Sequence, residues 1–200
     1  VITMHIFYKF YGESDYIITH VSFERLKQIN SNYDEIESII CYENELETVP
    51  MIPKKLKILD CSKNKLTTLP DLPNTLVTLK CEYNKLTYLP VLPTGIKTLC
   101  CYTNQLTFIS KLPSTLEEFF CDNNKLTLLP VESVELHTFR IDKNPVYYYI
   151  QDYCNGSIDI YHNENKVFAN KIASWFLECK YNPHYKYCRD RVNSEYDNLF

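Results

Sequence analysis

The chain has 200 residues, of which 45% are hydrophobic and 23% charged, with a formal net charge of −4 and a pI near 5.8. This composition is sufficient for a buried core, and its acidic balance argues against nucleic acid or an anionic membrane as a partner. No run approaches the ~20 apolar residues of a membrane span, and the three glycines form no phosphate-binding loop.

The first segment, residues 1–35, is predicted to be an irregular N-terminal cap. Apolar and more polar residues alternate over 2–10, which predicts a strand, and residues 16–21 are predicted to return as a second strand. A short helix with Ser22 as its N-cap is then predicted from the spacing of Phe23, Leu26 and Ile29. We expect this segment to cover the exposed end of the core that follows.

A period of twenty residues governs residues 36–155. The pattern is LxxLxCxxNxLxxLPxxPxx, and its six copies begin at Ile36, Leu56, Leu76, Ile96, Leu116 and Leu136. In the third copy, Leu79 and Cys81 predict a short strand with its apolar side inward, and Pro90 with Pro93 favours an extended, polyproline-like return. One copy buries too little apolar surface to offset the entropy of ordering it, so the copies must stack as a solenoid.

One polar position is asparagine in every copy. An amide has two donors and an acceptor, enough to hydrogen-bond the backbone of its own turn and of a neighbouring turn. We therefore predict a structural asparagine ladder made of Asn44, Asn64, Asn84, Asn104, Asn124 and Asn144.

Five of the nine cysteines also share one repeat position, at Cys41, Cys61, Cys81, Cys101 and Cys121. Side chains stacked on neighbouring parallel strands point the same way, which is a poor orientation for a disulfide. We interpret this cysteine ladder as small apolar core residues. It predicts a reducing, intracellular location, such as the cytoplasm, a host cytoplasm or a virion.

The repeat pattern resembles leucine-rich repeats, and its LPxLPxxLxxLxCxxNxLTxLP form is similar to the short subclass of bacterial effectors. Similar cysteine-bearing versions occur in giant DNA viruses of the mimivirus type. The resemblance covers residues 36–150 and implies a right-handed solenoid with a single parallel β-sheet on its concave face. It also implies a non-catalytic protein–protein interaction module, viral or acting as an effector in a host cell.

Side chains between the buried strand positions are predicted to face away from the core. Exposed aromatic residues among charges are typical of a protein-binding hot spot. We predict that a partner protein binds this surface through Lys80, Tyr83, Cys100, Tyr102, Phe120, Asp122 and Arg140. Ser38 and Ser62 belong to the same outward-facing columns. We expect a monomer, and the sequence does not identify the partner.

Residues 156–200 are predicted to be a helical C-terminal cap, because helical spacing relates Phe168, Ile172, Trp175, Phe176 and Cys179. The alternative is that these helices themselves bind a partner.

The sequence predicts no enzyme activity and no cofactor, since no Ser-His-Asp or Cys-His pair can be placed together. Some members of the effector subclass carry a ubiquitin-ligase domain with a Cys-x-Asp motif, which Cys188-Arg189-Asp190 matches. Such a domain is far longer than the segment after the repeats. The alternative function is therefore a substrate-recognition arm whose catalytic part is absent or supplied in trans.

Four residues have side chains that could bind zinc, namely Cys154, Cys179, His184 and Cys188. These residues lack the paired CxxC spacing of a zinc knuckle, so we predict no metal.

Overall fold

The computed structural model describes residues 5–49, 51–129 and 136–148. These residues form one eight-stranded sheet with the order β2-β1-β3-β4-β5-β6-β7-β8. The strands are β1 (Ile6–Phe10), β2 (Ile17–Thr19), β3 (Ile36–Ile40), β4 (Ile58–Asp60), β5 (Thr78–Lys80), β6 (Thr98–Cys100), β7 (Glu118–Phe120) and β8 (Thr138–Arg140). Between β2 and β3 lie helix α1 (Phe23–Ile29) and a 3₁₀ turn (Tyr33–Glu35).

The six strands β3–β8 are parallel and in register at the twenty-residue period. Leu59 pairs with Leu79, Leu79 with Leu99, and Leu99 with Phe119. Each connection between successive strands is one turn of the chain, so β3–β8 form a solenoid of about five turns. The predicted leucine-rich repeat fold is confirmed.

The core lies between the sheet and the return segments. Strands β4–β7 place their middle residue inward, and Leu59, Leu79, Leu99 and Phe119 are fully buried. No helix occurs in the returns within residues 51–129, which agrees with the extended return predicted from the prolines. A tight turn precedes each of the strands β4–β7: for example, the Leu76 N–H donates to the Pro73 carbonyl at 3.0 Å.

The N-terminal residues extend the sheet on the side of β3 opposite to β4. Strand β1 pairs antiparallel with both β2 and β3, so the hairpin lies beside the first repeat. Ser22 caps α1 as predicted, since its Oγ accepts from the Arg25 N–H at 3.3 Å. Phe23 and Leu26 are buried, but Ile29 is 50% exposed, because it lies at the end of a seven-residue helix.

The predicted C-terminal helices, over residues 156–200, lie outside the described residues. In the part of the chain that is described, no helix has the length and apolarity that crossing a membrane requires.

Candidate functional site

The candidate site is the face of the sheet that points away from the core, called the exposed sheet face below. It comprises the outward residues of β4–β8 and the two to three residues that follow each strand. In-register pairing places Asp60 beside Lys80, Lys80 beside Cys100, and Cys100 beside Phe120. Arg140 follows Phe120 on the last strand. The predicted column of side chains therefore runs across neighbouring strands.

Aromatic side chains meet near the middle of this face. The rings of Tyr83 and Tyr102 lie 5.3 Å apart between centroids in an edge-to-face arrangement, with 79° between their planes. Tyr83 is 48% exposed, whereas Tyr102 and Phe120 are half-buried. The pair is pre-packed and still offers aromatic surface to solvent.

Of the acidic residues near these rings, Glu82 has the largest effect on the pKa values of the neighbouring groups. Burial raises the pKa of the Glu82 carboxyl, and the negative charge of Asp60 raises it further, while a hydrogen bond from the backbone of Glu82 and the charges of Lys80 and Lys63 oppose the shift. The pKa of the Tyr102 hydroxyl is raised by burial and then by Glu82. The same two causes raise the pKa of the Cys100 thiol to about 12. Glu82, Tyr102 and Cys100 therefore form one electrostatically coupled group.

Two carboxylate oxygens on the exposed sheet face are enclosed without a hydrogen-bond donor, Oε2 of Glu82 and Oδ1 of Asp122. Asp122 has a cation nearby, since Oδ1 lies 3.8 Å from Nε of the exposed Arg140. In contrast, Oδ1 of Asp60 accepts from the Ser62 hydroxyl at 2.6 Å. The Glu118 carboxylate accepts from the Thr98 hydroxyl at 3.0 Å.

Two residues predicted to face outward are buried instead. Ser38 is fully buried, because the N-terminal hairpin brings the Tyr16 hydroxyl to 2.9 Å from its Oγ. Ser62 is 6% exposed and bonds to Asp60. The exposed sheet face is therefore closed at its first end and available from β4 onward.

The repeated asparagines make the hydrogen bonds that an amide can offer to two turns. In Asn84, Nδ2 donates to the carbonyls of Cys61 and Cys81 at 3.0 and 3.1 Å, and Oδ1 accepts from the Leu66 N–H at 2.9 Å. Asn44 instead bonds to both backbone groups of His5, at 2.6 and 2.7 Å. The first asparagine thereby ties the first repeat to the N-terminal hairpin.

The residue before each of these asparagines has a left-handed backbone. A non-glycine residue in this region costs roughly 1–2 kcal/mol relative to the right-handed one. The pattern recurs at Glu43, Lys63, Tyr83, Thr103, Asn123 and Lys143, with φ between 51° and 59°. The turn therefore fixes how Tyr83 leaves the backbone.

The cysteines in the described part of the chain are free thiols. The five repeat cysteines are fully buried, and burial is the largest cause that raises each thiol pKa above its ordinary value. A thiol is nucleophilic as the thiolate, so these groups are chemically inert in the folded chain.

Within residues 5–49, 51–129 and 136–148, no group of three or more His, Cys, Asp or Glu side chains is arranged to hold a metal ion. The four candidate zinc ligands from Cys154 to Cys188 lie outside these ranges, as does the Cys188-Arg189-Asp190 motif.

A second exposed apolar column was missed in the sequence. It lies in the return segments, where one repeat position carries Tyr88, Phe108, Leu128 and Tyr148, all more than a third exposed. The signal was available, because these residues are spaced by twenty, like the core positions. The predicted binding residues were taken only from the strands and the residues next to them, so this column was not included.

Comparison with solved structures finds bacterial effectors. YopM from Yersinia enterocolitica WA-314 is similar with a TM-score of 0.54 and 31% identity, covering 56% of this chain and 25% of that chain. A Shigella effector LRR domain gives 0.52 and 32%, covering 54% and 50%. YopM from Yersinia pestis, a leucine-rich effector protein, gives 0.50 and 29%, covering 54% and 31%.

The chain thus spans between a quarter and a half of the length of these neighbours. No family model and no curated protein matches the chain. The structural likeness identifies an effector-like leucine-rich repeat solenoid, a fold typical of protein interaction modules.

Proposed function

We propose that this chain is a non-catalytic module that recognises a partner protein through the exposed sheet face. The observation that carries the proposal is the edge-to-face pair of Tyr83 and Tyr102, together with the partly exposed Phe120 on the neighbouring repeat. Charged side chains surround the cluster, among them Lys80 and Asp122. Aromatic anchors within a polar rim are the usual composition of a binding hot spot.

The proposal also assigns structural roles to the segments of the chain and to the asparagine and cysteine ladders. Residues 1–35 cap the solenoid, 36–155 form its repeats and 156–200 close it, while the asparagine and cysteine ladders serve folding alone. The buried free thiols support a reducing compartment, inside a cell or a host cell. The protein acts as a monomer. The finer resemblance to repeats of giant DNA viruses belongs to this proposal too.

The experiment is quantitative capture of proteins from host-cell lysate by the wild-type chain and by Tyr102→Ala and Phe120→Ala. The matched control is Phe108→Ala, which removes a 56% exposed aromatic ring from the return side. We expect both sheet-face variants to lose about tenfold or more of the captured partner, since hot-spot truncations cost about 2 kcal/mol or more. Phe108→Ala should retain it.

Thermal melts of all three variants accompany the capture, so that lost binding is separated from lost folding. Equal capture by all variants would remove the exposed sheet face as the binding surface. A loss confined to Phe108→Ala would transfer the function to the return side.

The alternative function is a substrate-recognition arm for ubiquitin transfer, with its catalytic part absent or supplied in trans. The same capture experiment tests it, because co-purifying ubiquitin-transfer enzymes would favour it. A single unrelated partner would favour the simple recognition module.

A further inference from the structure

The exposed apolar column of the return segments lies on the side of the solenoid opposite to the sheet, and it is called the return column below. It consists of four residues at one repeat position, each more than a third exposed: Tyr88, Phe108, Leu128 and Tyr148. In the two earlier copies the same position holds the exposed residues Thr48 and Thr68. The apolar surface is therefore confined to the later copies.

Backbone hydrogen bonds set the spacing of the return column. The Gln105 N–H donates to the Leu86 carbonyl at 2.8 Å, and the Lys125 N–H donates to the Leu106 carbonyl at 2.9 Å. Turns that are joined by such bonds stand about 5 Å apart. Four successive rows therefore make the return column about 15 Å long.

The return column reaches the last described residue. Residues 145–148 leave the extended return and are helical. The ring of Tyr147 packs against the core and meets Tyr148 edge to face, with 5.5 Å between the ring centroids. This end of the column is thereby held in place, and residues 149–200 continue the chain from it.

The sequence after this point contains an apolar stripe of matching length. Helical spacing predicts one apolar face that is made of Phe168, Ile172, Trp175, Phe176 and Cys179. At about 1.5 Å per residue, the stripe is about 16 Å long, against about 15 Å for the return column. The connection over 149–167 can extend over about 60 Å, so the stripe can reach any row of the column.

The C-terminal segment has two such stripes, and the described residues leave two apolar surfaces uncovered. The second stripe is made of Tyr185, Cys188, Val192, Tyr196 and Leu199. The second surface is the end of the last repeat, where Phe139 in β8 is partly exposed although its equivalents in β4–β7 are fully buried. Once one helix covers this end, the other is left for the return column. A tethered segment also has a high effective concentration, so it is favoured over a free partner of similar affinity.

We infer that residues 168–179 of this chain lie as a helix along the return column, with Trp175 against its aromatic side chains. The second stripe then closes the end of the last repeat. This arrangement places the first helix on the side opposite to the exposed sheet face, which stays open to a partner. The inference goes beyond the proposed function and does not depend on it.

Trp175 is the only tryptophan of the chain, so its fluorescence reports on this segment alone. In the full-length chain we expect the emission of a buried indole, with little quenching by acrylamide. Phe108→Asp places a charge in the return column, which an apolar helix face cannot cover without penalty. We expect its emission to shift to longer wavelength and its quenching to rise toward that of the urea-unfolded chain. Thr68→Asp, at the same repeat position before the column begins, is the matched control and should change neither.

Photo-cross-linking supplies a second readout that does not depend on fluorescence. Benzoylphenylalanine in place of Phe108 should cross-link to the peptide of the same chain that contains Trp175, as mapped by mass spectrometry. The same photoreactive residue in place of Thr68 should not. Circular dichroism of every variant establishes that the solenoid is folded, which we expect because both positions are exposed.

Three outcomes overturn the inference. The first is a solvent-exposed Trp175 in the unmodified chain. The second is a buried Trp175 whose emission Phe108→Asp leaves unchanged, which would place the segment over the end of the last repeat. The third is a cross-link from position 108 that misses this peptide of the same chain, such as one to a second copy. None of these outcomes changes capture of a partner by the exposed sheet face, so the proposed function is tested separately.

Discussion

The inward and outward sides of the repeat strands differ in how strictly the period is kept. Inward, the middle strand position is Leu59, Leu79, Leu99 or Phe119, and each is fully buried. Outward, the next position carries Asp60, Lys80, Cys100, Phe120 and Arg140 in turn. Neighbouring residues of one short strand therefore obey different constraints. The residue type repeats at the core positions, whereas it changes from copy to copy on the exposed sheet face.

The charged residues beside the exposed sheet face follow a third constraint. It is less strict than the one on the inward positions and stricter than the one on the outward positions. Ion pairs connect residues that are twenty apart in the sequence, such as Lys55 with Glu35 and Lys97 with Glu117. If the same charge recurred in every copy, stacking would place like charges side by side, which is destabilising. Alternation of sign between copies avoids this repulsion without adding much stability.

The largest predicted effect is a loss of folding stability at alkaline pH, which arises from the buried thiols on the inward side. Burial raises the pKa of the five repeat thiols above the ordinary 9.0. The unfolded chain loses these protons first, so the stability is fully present below pH 9 and is lost as the pH rises above it. The loss at pH 10 is about 1.4 kcal/mol per buried thiol, and therefore several kcal/mol in total.

Urea unfolding at pH 8 and pH 10, under a reductant, measures this loss. Cys81→Ala removes one of the five thiols and should reduce the difference between the two pH values. Identical midpoints at both pH values would contradict the account of buried thiols.

Leu79→Ala against Thr78→Ala is the sharpest comparison of the two sides, because these residues are adjacent in β5. Leu79 is fully buried, and truncation leaves a cavity that costs about 2–5 kcal/mol. Thr78 is partly exposed, and its truncation should stay within about 0.5 kcal/mol. Urea unfolding measures the stability of both variants. Equal losses of stability would show that the inward and outward positions do not differ in their contribution to the fold.

Asn84→Ala should destabilise the chain by about 1–3 kcal/mol, since three carbonyls and one N–H lose their partner. Asn74→Ala, at an exposed asparagine in a turn, is the matched control. An unchanged urea midpoint for Asn84→Ala would show that solvent replaces the amide and that the position is not structural.

Lys55→Ala should have the smallest effect, within about 0.5 kcal/mol, because exposed ion pairs are screened by water. Its Nζ lies 2.7 Å from Glu35 Oε2, so the geometry is good and only the exposure predicts the small value. Urea unfolding at low and high salt checks it. A loss of stability comparable to that of Leu79→Ala would contradict this expectation. It would show that the ion pairs stabilise the fold as much as the core residues do.

The period alone was sufficient to predict much of this fold. Twenty residues between Leu59 and Leu79 implied that the two lie opposite each other on neighbouring parallel strands, and they do. The prolines correctly predicted a return without helix. These features are local, or they repeat, so each copy supplies the same information again.

Contacts that occur only once in the molecule could not be predicted from the sequence. The burial of Ser38 depends on Tyr16, 22 residues away in a hairpin that does not follow the period. The unsatisfied oxygen of Glu82 also depends on which lysine side chains turn elsewhere, as Lys63 does toward Glu43. Side-chain partners of this kind are set by three-dimensional packing, which the pattern of residue types does not encode.

The buried thiols have a further consequence for following the motions of the solenoid. Each of five successive repeats contains one inert cysteine, at Cys41, Cys61, Cys81, Cys101 and Cys121. A thiol reagent can modify such a group only while its own turn is open, so the labelling rate at each cysteine reports the local opening free energy of that turn. In a chain whose units contact only their neighbours, the five rates would show where fraying begins and how far it spreads.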